Sequence, residues 1–152
     1  VEQLRQLQAL SEKLDKYDER LQSMRGVFGA IFWTCPYPSW LKAPNGAGDD
    51  YWVMAAINRA YEKAFNVTSD KYVGIPDKDI WGAEIASGFR INDMAVRDGG
   101  RMVRTMEAFD LGGNPGPHSV IKWPVYEEGV FRGVGGVAMG STVIEWIIKH
   151  GG

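Results

Sequence analysis

The sequence predicts an α+β fold: a five-stranded antiparallel sheet with short helices on one face, preceded by a long N-terminal helix. Three observations predict it. Residues 1–25 contain no Gly, Pro, Phe, Trp or Cys yet hold ten of the 36 charged residues, whereas all 19 glycines and all seven prolines follow Arg25. Apolar residues in the first segment recur in three- and four-residue steps, which is a helical period. After Pro38, two β-patterned runs, several short helical runs and three further β-patterned runs follow in that order. The sequence therefore divides into a helix over residues 1–34, a compact domain over 35–142 and an exit helix over 143–152.

The first segment places Leu7, Leu10, Leu14, Tyr17, Leu21, Met24, Phe28 and Ile31 on one narrow seam. This a/d spacing favours a partner helix and hence a coiled-coil homodimer. A cap helix folded onto its own domain is the alternative, although such helices usually show a wider apolar stripe. Gly26 and Gly29 loosen the helix, and Cys35-Pro36-Tyr37-Pro38 ends it.

In the compact domain, residues 39–42 read as a strand, 44–50 as a hairpin connection and 51–57 as a second strand. Asn58 stands at an N-cap before the helical run 59–65. Thr68-Ser69-Asp70 opens a single turn, and 75–81 reads as another turn leading into a helix over about 83–97, stopped by Gly99-Gly100. Runs 102–110, 119–126 and 130–139 are strands, the last two joined by the hairpin-like Glu127-Glu128-Gly129.

Several functions are disfavoured. A net charge of -2 with no basic cluster argues against direct nucleic-acid binding. The longest apolar runs, such as 26–33, are far too short to span a membrane. One Cys builds neither a disulfide framework nor a thiolate metal site, and a cytoplasmic protein is expected. No phosphate loop, nucleophile elbow or dinucleotide fingerprint appears, and His118 and His150 are badly spaced for a metal. An enzyme is not expected; Asp93 is the one acid or base candidate, while Asp77 with Asp79 reads as solvent-facing turn carboxylates.

The order of elements resembles a PAS domain over roughly residues 38–140. Its wording is carried by Pro38-Ser39-Trp40-Leu41-Lys42, Ile57-Asn58-Arg59-Ala60-Tyr61, Phe89-Arg90-Ile91-Asn92-Asp93, Lys122-Trp123-Pro124-Val125 and Gly133-Val134-Gly135-Gly136-Val137-Ala138. One departure concerns the exit: the family commonly ends its last strand with Asp-Ile-Thr, whereas this chain reads Gly140-Ser141-Thr142.

The resemblance implies a sensory module that binds a small ligand or partner, dimerises and relays a signal through flanking helices to an effector domain elsewhere in the parent protein. A ligand-free dimerisation platform is the alternative. No cofactor is assigned: the flavin-type Cys is missing after Cys35, and the run 83–97 holds no haem-type His. The implied cavity is lined by Trp81, Phe89, Asn92 and Val96 from helices, Val120 and Lys122 from one strand, and Val134, Gly136 and Ala138 from the next. Small Gly136 and Ala138 leave room there. Lys122, an ammonium aimed inward, is expected to meet a carboxylate such as Asp93 or an anionic ligand. His118 shares its parity but is expected at the rim, beside Pro117. On the opposite face, Ile121, Trp123 and Val125 form an apolar stripe that asks for cover by the helix around residues 24–33 or by a partner, which adds Trp123 to the dimerisation residues.

Overall fold

A computed structural model describes residues 1–45, 52–111, 113 and 115–140. The chain forms two units, Val1–Thr34 and a second that opens at Cys35.

The first unit is a single helix, α1 (Glu2–Thr34). It runs through both Gly26 and Gly29, where the sequence suggested loosening, and stops one residue before Cys35 and the prolines. Leu7, Leu10, Leu14, Tyr17, Phe28 and Ile31 of the seam are all exposed. The side chains of Leu21 and Met24 lie outside the described set.

The second unit follows the order read from the sequence: β1 (Ser39–Pro44), β2 (Trp52–Ile57), α2 (Arg59–Phe65), α3 (Ser69–Tyr72), α4 (Asp77–Trp81), α5 (Ala83–Gly99), β3 (Val103–Glu107), β4 (His118–Glu127) and β5 (Val130–Gly140). The strands form one sheet in the order β2-β1-β5-β4-β3, with every neighbouring pair antiparallel. Most of the expected 44–50 connection and the exit helix over 143–152 fall outside the described residues, as do Ser141 and Thr142.

Local chemistry explains the joints. Asn58 accepts from Tyr61 N (3.0 Å) as N-cap of α2, accepts from Ser39 N (2.9 Å), and donates to Tyr37 O (2.9 Å). One buried amide thus fastens the start of β1 to the start of α2. At the β4–β5 hairpin, Glu128 and Gly129 both take positive φ, 50° and 76°, as a two-residue turn matched to strand twist requires.

The core lies between the sheet and the helices. Trp40, Met54, Ile57, Tyr61, Tyr72, Phe89, Phe109, Val120 and Ala138 form its buried cluster. Alternation on β4 buries His118, Val120 and Lys122, while Trp123 on the other face is 38% exposed. Central β5 carries glycines where aromatic rings come close: a side chain at Gly136 would run into the Trp40 indole, and one at Gly135 would come within 2.6 Å of the Trp123 indole.

Candidate functional site

Inward-facing positions on β1 and β4 carry Lys42 and Lys122, two ammonium groups brought into an apolar interior by strand alternation alone. Neither is left uncompensated. Lys42 Nζ meets Asp77 Oδ2 at 2.5 Å and Asp93 Oδ2 at 2.8 Å. Lys122 Nζ meets Asp93 Oδ1 at 2.6 Å and Glu107 Oε2 at 2.7 Å, and donates to Phe89 O at 3.3 Å. At its ends the chain continues through neutral groups: Trp81 Nε1 donates to Tyr72 Oη (2.9 Å), Tyr72 Oη donates to Asp77 Oδ1 (2.5 Å), and Asn92 Nδ2 donates to Glu107 Oε2 (2.8 Å). An unbroken polar chain thereby links α3, α4 and α5 to β1, β3 and β4.

The charges reinforce one another. Burial alone would lower the pKa of Lys42, but Asp93 and Asp77 outweigh it and raise it above the ordinary lysine range. Burial would raise Asp93, yet Lys42 and Lys122 hold it below the usual carboxylate value. Asp93 therefore remains a fixed counter-ion. A general base working near neutral pH needs the opposite displacement. Burial pushes the hydroxyls of Tyr61 and Tyr72 upward, which keeps Tyr72 a donor to Asp77.

Rings surround this chain. Phe65 packs edge-on to Trp81 and to Phe109 with centroids 5.2 and 5.4 Å apart, and Trp81 packs edge-on to Phe89 at 5.9 Å. Phe89 lies beneath both ammonium groups, 5.2 Å from Lys42 Nζ and 5.7 Å from Lys122 Nζ. The space these rings leave is a cavity of about 20 Å³, bordered also by Trp40, Tyr61, Lys42, Asp77 and Glu107. That is room for about one water. A larger cleft of about 290 Å³ lies between β1, β2, α4 and α5, with Lys42, Asp77 and Asp93 in its wall and Trp52, Lys78, Ala86, Arg90 and Met94 among its other borders.

Several expectations meet this geometry. Lys122 finds Asp93, as anticipated, and a second carboxylate, Glu107, besides. Val96, Val120, Val134 and Ala138 are buried inward, and Trp81 and Phe89 border the small cavity. Asn92 reaches the polar chain through Glu107. The space expected over Gly136 is instead occupied by the Trp40 indole. His118 is a correction: it is 1% exposed rather than at the rim, because inward parity on β4 overrides its position beside Pro117 and sets its ring 4.7 Å from Phe109. Asp77 is another: it faces Lys42 and Tyr72 rather than solvent.

Lys42, Tyr72, Glu107 and the ring of Phe65 and Phe109 went unrecognised in the sequence. Lys42 carried a usable signal, since it stands two residues after Trp40 and so shares that residue's inward face. The buried indole N–H of Trp40 has no hydrogen-bond partner among the described residues.

Comparisons with known proteins agree with the geometry. The family profile described as the PAS fold matches residues 48–139. No curated protein sequence matches. Among solved structures, the phage VqmA–DPO complex matches with a TM-score of 0.67 at 16% identity, covering 89% of this chain and 61% of that one. The PAS domain of Bordetella pertussis BvgS matches with a TM-score of 0.58 at 17% identity, covering 86% and 96%. Vibrio cholerae VqmA, described as a dimer in the absence of its target DNA, matches with a TM-score of 0.60 at 19% identity, covering 73% and 48%. This chain thus spans about three-fifths of the phage VqmA chain and about half of the Vibrio one. Because VqmA has a DNA target, the expectation that nucleic acid is no direct partner finds no support in these neighbours. Among the described residues, no helix is long and apolar enough to cross a membrane. With more than half of its length matched by the family profile, and with the strand order and helical wall just described, this chain belongs to the PAS fold family.

Proposed function

We propose that this chain is a sensory PAS module that takes up a small molecule between its helices and sheet, dimerises through the seam of α1, and passes the resulting change to an effector domain of the parent protein. The observation that carries this reading is the polar chain from Trp81 to Asn92, because it ties the wall of both cavities to three strands of the sheet. A ligand that replaces one link redistributes its neighbours, since each carboxylate and ammonium is shared. The Trp40 N–H beside the inner cavity, which has no partner among the described residues, is a donor suited to a ligand acceptor. The VqmA neighbours, one a complex with DPO and one a dimer, support a ligand-binding and dimeric reading. The exposed leucines of α1 and the exposed Trp123 face are the proposed dimerisation surfaces.

A ligand-free dimerisation platform is the second reading. The inner cavity of only about 20 Å³ favours it, since the domain's own rings fill most of the space. Native mass spectrometry of the purified chain separates the two. The sensor reading expects a dimer carrying a retained small molecule; a dimer at bare mass supports the platform, and a monomer at bare mass contradicts both.

A further inference from the structure

The two cavities meet at one ion pair. Lys42 and Asp77 border both, so the Asp77 carboxylate resting on the Lys42 ammonium partitions the outer cleft from the ring-lined inner space. Three properties make Asp77 the replaceable link. The buried cluster gathers two lysines, Lys42 and Lys122, and three carboxylates, Asp77, Asp93 and Glu107. Withdrawing Asp77 leaves each lysine at least one carboxylate partner. Its side chain is also the most exposed of the three, at 14% against 5% for Asp93 and 4% for Glu107. Finally, it opens α4, a single five-residue turn.

The outer cleft favours an anion in that place. Among its described charged borders, Lys42, Lys78 and Arg90 stand beside Asp77 and Asp93. A neutral ligand that displaced Asp77 would deprive a buried ammonium of one counter-ion, which is costly, whereas a carboxylate restores it. Trp52, Ala86 and Met94 give an apolar body a surface to cover.

We propose that the outer cleft binds a small monocarboxylate with an apolar body, which takes the place of Asp77 on Lys42 and joins the two cavities into one. This assignment rests on the ligand-sensing reading above and names the chemistry of the ligand. Displacing Asp77 also frees the Tyr72 hydroxyl that donates to it, and Trp81 Nε1–H, bonded to that hydroxyl, reports the exchange.

Phenylacetate and its uncharged isostere phenylacetamide test the proposal on the whole chain at neutral pH. Calorimetry should give phenylacetate an affinity about tenfold above that of the amide, and the Trp81 indole N–H resonance should move with phenylacetate. Asp77→Asn removes the competing carboxylate while Lys42 keeps Asp93, so it should bind phenylacetate more tightly than the wild type. Lys42→Met should erase the preference for the carboxylate; if that variant does not fold, Asp77→Asn and the amide comparison decide. Equal affinity for the two probes, an unmoved Trp81 resonance, no binding of phenylacetate, or weaker binding by Asp77→Asn overturns the carboxylate assignment. A neutral molecule retained in native mass spectrometry would then leave the sensor reading standing, whereas a bare-mass dimer would remove both.

Discussion

Asp93 is the residue on which the interior balances, because each of its oxygens holds a different lysine. Removing its charge strands two ammonium groups with one carboxylate each. Asp93→Asn should destabilise the fold by about 3 kcal/mol in urea denaturation. Its pKa direction also sets a pH dependence. Since Lys42 and Lys122 hold the folded value below the ordinary 3.8, the stabilisation from Asp93 is complete above that pH and is lost as pH falls through the folded value. Lys42 acts at the other extreme: its folded value is raised, so its contribution is complete below 10.5 and is lost only as pH rises past the folded value. Stability measured against pH should fall on the acid side below about pH 4, and Asp93→Asn should flatten that fall. An unchanged acid limb in the variant would mean that Asp93 is not the group responsible. Lys122 and Asp93 were legible as a pair because both occupy inward positions with opposite charge. Asp77 was not, since a carboxylate at the start of a short turn reads equally well as a solvated cap, and only the fold brings Lys42 to it.

At the scale of elements, the sequence order was readable almost to the residue where turn chemistry is explicit. Asn58 capped α2, Gly100 ended α5 with φ 60°, and Glu128-Gly129 closed the β4–β5 hairpin. Strand ends were less legible where a residue leaves the ladder to fill the core: the run 102–110 contracts to Val103–Glu107, and Phe109 beyond it turns inward at 5% exposure. The contents of the cavity were least legible, because which ring covers which glycine is a cross-strand fact. Trp40 pairs with Gly136 through the β1–β5 register, and no local pattern states that register. Gly136→Ala should therefore destabilise by about 2 kcal/mol, since the added methyl meets the Trp40 indole over the central strand. Thermal denaturation checks this, and a variant as stable as the wild type would show that the indole moves aside freely.

For the whole molecule, the shared set of charges that joins the wall of α3, α4 and α5 to the sheet is expected to make them respond as one unit. The PAS fold explains the layers; the polar chain is the proposed coupling between them. Cutting that chain at the most exposed of its three carboxylates, with Asp77→Asn, tests this without any ligand. Hydrogen–deuterium exchange of the variant against the wild type is the most direct measurement. Coupling through the polar chain requires faster exchange both in the segment from Tyr72 to Trp81 and across β1 and β4, where Lys42 and Lys122 stand. Faster exchange confined to the segment from Tyr72 to Trp81, with the strands unchanged, would contradict it.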